Sequence, residues 1–485
     1  NMKLRDWQAE CIDLALEKYT NGKNHFLALA TPGAGKTIMA SALANELMNR
    51  DLVDIVICFS PSSVVCVDFS QELENVIGEK FDGLLGSKGQ SLTYQTLLHL
   101  DTDFWALFHK YRVFVIFDEI HHCCGSKVEN ANSWGEQILL HIKNKAEFTL
   151  AMTGTPWRSD TAPIVLSDYL SPSNKIQCDY VYGLSEAIKD DVCRTPQIIA
   201  IDNDDISLTS DNESKSFNCF KDLLTQSAFP YQEIIQNKQL LLHVIQQAND
   251  KLDKIRHSNP SAGGLIVAAS VAHANQILDL LAERFNEAAT IITYQEDEPT
   301  KLIHQYKKSS SKWVVSVGMI SEGTNIPRLQ VTCHLTRIKT EMHFRQIMGR
   351  NLRATDAINQ EAFLYMPAEP KLVEYAYRVA QDIPLEANVV KYEKMSANFK
   401  AKQKDENSGE RNIGKVVEDT VDDSLDKIID TQEGNIDFGE FETSADTKSS
   451  TSNKKNALTD SYESMMNIFG RFKQETLELG LTALE

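Results

Sequence analysis

Ala30-Thr-Pro-Gly-Ala-Gly-Lys36-Thr37 is the stretch on which the fold of this chain is read. An apolar run at residues 26–30 leads into it, and residues 36–48 behind it have the pattern of a helix. A glycine-rich turn between a buried strand and a helix start lets successive backbone N–H groups wrap phosphate oxygens. Thr31, Pro32, Gly33, Ala34 and Gly35 would form that cradle. Lys36 can reach β and γ oxygens, and Thr37 can hold Mg²⁺. The expected ligands are therefore ATP and Mg²⁺. Ala30 stands where the general pattern has glycine, so the context of strand, loop and helix carries the assignment.

A phosphate loop needs carboxylates at the end of a neighbouring strand. Val113-Phe-Val-Ile-Phe117 runs directly into Asp118-Glu119-Ile-His-His122. Asp118 would hold the metal through water, and Glu119 would orient and deprotonate an attacking water. His121, His122, Cys123 and Cys124 invite a zinc reading, but adjacent ligands do not match zinc spacing. Plain packing is the better account of the two cysteines.

Outward from this pair, short apolar runs alternate with amphipathic stretches. Strands are expected at 26–30, 53–59, 113–117 and 148–152, then again at 264–269, 290–293, 314–317, 331–335 and 362–366. Such alternation predicts parallel sheets covered on both faces, as two α/β units in tandem. The polar, acidic stretch 202–222 reads as a loop or linker, followed by a long helix at about 234–256. The boundaries expected are a first unit at 2–201, a linker at 202–236 and a second unit at 237–395. Residues 396–457 are too polar to offset their ordering entropy and read as a flexible acidic linker. Residues 458–485 read as an amphipathic helix, with Tyr462, Met465, Phe469, Phe472 and Leu479 on one face. That helix either folds back on the rest of the chain or docks a protein partner, such as a nuclease or effector, or a second copy.

The 485 residues carry a net charge of −19, which argues against a broadly basic nucleic-acid-coating surface but not against a local cleft. The last 85 residues contribute 10 Lys/Arg against 19 Asp/Glu. No apolar run approaches the roughly 20 residues needed to span a bilayer. No apolar stretch follows basic residues near the N-terminus, so no secretory signal is expected. Nine cysteines without a CxxC pair point to a reducing cytoplasm.

The phosphate loop, Asp118-Glu-Ile-His121 and Met152-Thr-Gly-Thr-Pro-Trp157, taken in that order, resemble superfamily 2 helicases of the DEAD/DEAH type. Gln346-Ile-Met-Gly-Arg350-Asn-Leu-Arg353 resembles that family's QxxGRxxR motif, and Ser316-Val-Gly-Met-Ile-Ser-Glu322-Gly323-Thr-Asn325-Ile-Pro327 the motif before it. Leu4-Arg-Asp-Trp-Gln8 resembles the adenine-reading segment. The wording of the motifs is most similar to the group related to type III restriction-enzyme motor subunits, and the resemblance spans residues 4–353.

This resemblance implies two tandem RecA-like lobes and a nucleic-acid-dependent ATPase that translocates on or unwinds DNA in phage defence or genome maintenance. It implies that Gln8 reads adenine and that Thr153 and Thr155 couple nucleotide state to lobe closure. Gln346, Arg350 and Arg353 would act on the triphosphate, the arginines as fingers. Glu322, Gly323 and Asn325 would line the nucleotide cleft, with Asn325 departing from the usual Asp. Ser60, Pro61, Thr93, Tyr94 and Gln95 would grip the nucleic-acid backbone. Arg158, Arg337 and Lys339 are candidate cations nearby, each equally readable as surface charge. Two other readings stay open: an ATP-gated regulatory subunit that controls a partner effector without processive unwinding, and an RNA helicase.

Overall fold

The computed structural model describes residues 3–125, 131–154, 163–170, 175–210, 213–318, 325–381, 465–470 and 472–478. The chain divides into two units: of the described residues, the first takes those up to Cys193 together with Asn325, and the second takes the others from Arg194 onward.

The first unit is built on β1 (His25–Ala30), β2 (Ile55–Ser60), β3 (Gly89–Thr93), β4 (Val113–Phe117), β5 (Phe148–Thr153) and β8 (Tyr180–Tyr182). They form one six-stranded sheet in the order β3-β2-β4-β5-β1-β8. Every pairing in it is parallel. A small ribbon, β6 (Asp168–Leu170) with β7 (Lys175–Gln177), stands apart from it. All five residues of β4 are buried, as expected of a central parallel strand with both faces covered. Phe59, Val115, Phe117 and Trp134 anchor the core on one face of this sheet. The edge strand β3 escapes sequence reading because Gly89-Gln-Ser-Leu-Thr93 is mostly polar and only half-buried.

The second unit holds β9 (Pro196–Asn203), β10 (Ile206–Ser210), β11 (Glu213–Phe217), β12 (Gly263–Ala268), β13 (Ala289–Ile292), β14 (Trp313–Ser316), β15 (Leu329–Leu335), β16 (Ala362–Pro367), β17 (Met465–Ile468) and β18 (Phe472–Glu478). Its seven-stranded sheet runs β13-β14-β12-β15-β16-β9-β18, and β11-β10-β17 form a separate small sheet. The large sheet is parallel except for β18, which runs antiparallel to β9. These are the two parallel-sheet lobes expected. No helix among the described residues is long and apolar enough to cross a membrane.

Two boundaries differ from expectation. Residues 196–201 are not part of the first unit as expected: β9 pairs with β16 over six residues, from Ala362↔Pro196 to Pro367↔Ile201, and belongs to the second sheet. The stretch 202–236 is no linker: it holds the β10–β11 hairpin and the helices Phe220–Gln226 and Tyr231–Gln236. It reads as polar because Glu213–Ser216 of β11 is exposed. The long helix is Lys238–Ser258, reset in register by the Asn237 side chain, which accepts from the Gln239 and Leu240 N–H groups.

The terminal helix is also corrected. Within 458–485 the described residues form β17 and β18. Met466 and Ile468 are buried while Met465 and Phe469 are exposed, a period of two rather than the helical period. The unpaired backbone of the β9 edge outweighs the weak helical preference of a segment that contains Gly470. The expected acidic linker, 396–457, lies outside the described residues, as does the expected end of the second unit at 395.

Candidate functional site

The parallel order β4-β5-β1 brings three strand C-termini side by side. The phosphate loop follows β1, Thr153 and Gly154 end β5, and Asp118 and Glu119 follow β4. Strand C-termini in a parallel sheet are where ligand crevices form. Gly33 and Gly35 have positive φ of 84° and 98°, a left-handed region that glycine enters without strain. Gly35 is the residue from which the helix Lys36–Asn49 starts. Gly154 packs so closely that a Cβ there would lie 2.8 Å from Pro32 Cδ, 3.0 Å from Ala30 O and 3.1 Å from Lys36 Nζ.

Lys36 Nζ lies 3.0 Å from Glu119 Oε1 and donates to Ala30 O at 3.2 Å. Glu119 Oε2 accepts the Gly154 N–H at 3.3 Å and lies 3.4 Å from His121 Nδ1. His121 Nδ1 in turn meets Thr153 Oγ1 at 2.9 Å. Glu119 itself has a φ of 47°, a costly conformation for a residue with a side chain, held at the centre of the cluster. Asp118 is buried, and its carbonyl accepts the Tyr94 hydroxyl at 2.7 Å.

Charge separates the two carboxylates. Burial, then the neighbouring Glu119 charge, raises the Asp118 carboxyl well above the usual range. Burial would raise Glu119 too, but the Lys36 ammonium, His121 and hydrogen bonds from Lys36 and Gly154 hold it low. The two carboxyls are thus pushed in opposite directions, and Asp118 is the one whose ionisation a bound cation would favour.

The donor set fits the expected ligands. Asp118 and the Thr37 hydroxyl are hard oxygen ligands suited to Mg²⁺. Lys36 is matched to triphosphate charge, and Thr31 to Gly35 supply the backbone cradle.

Gln8 is 2 % exposed, and its carboxamide is engaged with the loop: Nε2 donates to Gly35 O at 2.9 Å and Oε1 accepts from Arg5 N at 2.9 Å. Arg5, not singled out from sequence, donates from Nη1 to Ala34 O at 2.6 Å. Trp7 stacks on Tyr182 with ring centroids 4.8 Å apart. An open cavity of about 370 Å³ lies against Trp7, Tyr180, Tyr182 and Asp190 and takes in none of the loop residues.

The expected nucleic-acid contacts also lie at strand ends, with Ser60 paired to Thr93 across β2 and β3. Ser60 and Pro61 are buried, and Thr93 and Gln95 are half-buried. Tyr94 is a correction. Its ring is fully buried against Phe59 and Trp134 and its hydroxyl holds Asp118, so its side chain supports the carboxylate instead of facing a strand.

In the second unit Gln346 is buried on the helix Glu341–Gly349, with Arg350 and Arg353 half-buried in the turn after it. Arg350 Nε donates to Gln346 O at 3.2 Å, and Asn351 Nδ2 donates to Phe363 O at 2.8 Å. Arg194, missed in the sequence, is 2 % exposed and organises this region. Its guanidinium donates to Leu329 O at 2.7 Å, Asn351 O at 3.2 Å, Pro327 O at 3.4 Å, Gln360 Oε1 at 3.1 Å and Thr355 Oγ1 at 3.3 Å. Lys339 is engaged within its own unit, 3.8 Å from Glu369 Oε1 and over the Tyr231 ring. Asn325 is half-buried. Thr155, Arg158, Glu322 and Gly323 lie outside the described residues.

A phosphate loop and carboxylate pair at the C-terminal ends of a parallel sheet, followed by a second parallel-sheet lobe, define a two-lobed nucleotide-binding chain of helicase architecture. Residues 1–158 match the family described as type III restriction enzyme, res subunit, and residues 247–355 match the helicase conserved C-terminal domain. With both matches in this order, the chain resembles superfamily 2 helicases of the group related to type III restriction-enzyme motor subunits. It is 30% identical over 393 residues to an uncharacterised protein of Mycobacterium leprae, covering 77% of this chain and 63% of that one. It is 28% identical over 396 residues to an uncharacterised protein of Mycobacterium tuberculosis, covering 78% and 63%. The chain thus spans under two thirds of the length of these relatives. A solved fragment assigned as the HsdR subunit of a type I restriction enzyme from Vibrio vulnificus shares the fold, with a TM-score of 0.53, 15% identity, and coverage of 78% of this chain and 66% of that one.

Proposed function

We propose that this chain is a nucleic-acid-dependent ATPase that translocates on or unwinds DNA. The observation that carries the proposal is the 3.0 Å Lys36–Glu119 contact beside the buried Asp118, at the end of the phosphate loop.

The contact suggests how substrate arms the site. Lys36 neutralises Glu119 while no triphosphate is present. Triphosphate draws Lys36 away, and Glu119 then loses the charge that depresses its basicity. It becomes a better acceptor for the proton of an attacking water. Mg²⁺ held through Thr37 and Asp118 would neutralise phosphate charge. Arg350 and Arg353 are proposed to stabilise charge on the transferring phosphoryl group, a contribution of roughly 10³–10⁵ in rate for such fingers. Ser60, Thr93 and Gln95 are proposed to hold the nucleic-acid backbone without reading bases. The resemblance to restriction-enzyme motors favours DNA and a role in phage defence or genome maintenance.

The test is ATP hydrolysis measured with single-stranded, duplex and forked DNA and RNA, together with strand displacement on tailed duplexes. DNA-stimulated hydrolysis with displacement is expected. Hydrolysis without displacement would point to an ATP-gated subunit that controls a partner. Stimulation by RNA alone would point to an RNA helicase.

A further inference from the structure

The last strand of the second sheet arrives from far along the chain. The helix Pro370–Gln381 precedes it, and β17 begins only at Met465. Residues 382–464 lie between. A segment of that length can extend beyond about 200 Å at roughly 3.3 Å per residue. Connectivity therefore does not tie the terminal strands to their own copy.

The seat itself is specific. β18 runs antiparallel to β9 from Phe472↔Asn203 to Glu478↔Gln197, and β17 runs antiparallel to β10 from Met465↔Thr209 to Ile468↔Ile206. Between them, the Phe469 and Gly470 N–H groups both donate to Asp205 O, at 2.9 and 3.0 Å. Asn203 Nδ2 donates to Gly470 O at 3.0 Å. A Cβ on Gly470 would collide with Asp204 Oδ1 and the Asp205 backbone nitrogen. Phe472 stacks on His243, centroids 4.2 Å apart and planes 11° off parallel. Met466 and Ile468 supply the buried side chains. These are the ingredients of recognition by strand addition: main-chain hydrogen bonds for affinity and side-chain pockets for specificity.

We propose that the β9–β10 edge is a strand-docking site whose own terminal segment is detachable, and that in trans it accepts the same strand pair from a second copy of this chain. Identical contacts form either way, so the exchange carries no enthalpic penalty and is governed by concentration alone. Trans occupancy should become appreciable as protein concentration approaches the effective concentration of the tethered segment, about millimolar. The charge balance and ATP chemistry of the first unit play no part in it.

The test uses the full chain and a fluorescent synthetic peptide of residues 462–480. Gly470→Val in the chain should eject its own segment and leave the edge open. That variant is expected to bind the peptide at least about 10-fold more tightly than the wild type, whose segment competes. A peptide carrying the same substitution should not bind. Should Gly470→Val fail to fold by circular dichroism, Phe472→Ala in the chain serves the same comparison. By sedimentation, the wild type should dimerise above the peptide's apparent Kd for wild type, and Gly470→Val should stay monomeric. Equal peptide binding by both chains, binding by neither, or a wild type that remains monomeric in that range would overturn the proposal.

Discussion

The two sheets differ in where their strands come from. The first takes all six from one continuous stretch, β1 to β8, and every pairing is parallel. The second is closed on one side by β9, which precedes its other strands, and by β18, which comes last in the chain. Their candidate functional residues follow the same split. In the first, Lys36, Asp118, Glu119, Thr153 and Gly154 sit within a few residues of the strand ends that position them. In the second, the turn bearing Arg350 and Arg353 is pinned by Arg194, more than 150 residues earlier in the sequence. A site assembled at adjacent strand ends is locally encoded, whereas one held by a distant side chain is not.

The largest expected effect tests the functional division of labour between the two. Arg350→Ala or Arg353→Ala should lower ATP turnover by roughly 10³–10⁵ while changing ATP affinity little, because a finger stabilises charge that develops only in the transition state. Turnover left intact with both arginines replaced would remove the second unit from the chemistry. Next in size is the base proposed for the first unit. Glu119→Gln should retain nucleotide binding and lose about 10²–10⁴ in rate. Lys36→Ala should weaken nucleotide binding as well, which separates the two variants in an equilibrium binding measurement.

What could be read in advance follows the same contrast. The glycines of the loop, the Val113–Phe117 run and the acids behind it are legible because one strand's burial and one turn's geometry dictate them. Tyr94 was misplaced because its ring is needed under Asp118, a contact between two strand ends that spacing does not reveal. Arg5 lies within a motif, but its hydrogen bond to Ala34 O becomes visible only once the helix Asp6–Thr20, which it caps, lies against the loop. Residues 196–201 fall in the second sheet and not in the first unit because a strand's partner is not written in its own residues. The terminal segment carried apolar residues at spacings compatible with a helix, and an open sheet edge decided otherwise.

Arg194 sharpens the comparison through stability. Its five acceptors are carbonyls and side chains of the second unit, and hydrogen bonds from a charged donor contribute about 1.5–3 kcal/mol each. Arg194→Ala should destabilise the second unit by at least about 3 kcal/mol, measured by denaturant unfolding with a probe in that unit. If only the first unit melts earlier, the pinning role assigned to Arg194 is wrong.

The smallest effect lies in the first unit and depends on pH. Asp118 is buried, faces Glu119, Lys36 and His122, and has a carboxyl raised above its unfolded value. A group whose folded pKa is raised contributes stability that is present at low pH and lost as pH rises through the folded value. Glu119 is held low, so it is ionised in both folded and unfolded chains near neutrality and adds no slope there. Asp118→Asn keeps the shape and removes the titration. Without nucleotide or Mg²⁺, the variant should match the wild type only below about pH 4, where the unfolded carboxyl also keeps its proton, and the gap should open from there toward neutrality. The variant should melt higher by on the order of a few degrees in mildly alkaline buffer. Buried histidines such as His25 and His273 titrate in both proteins and cancel in the difference. Saturating Mg²⁺ and ATP should shrink the gap or reverse it, because a bound cation stabilises the ionised carboxylate that the empty site does not. A difference in melting temperature that stays flat from acid to alkali would mean that Asp118 is already ionised in the empty site, and that the site holds no proton for the metal to displace.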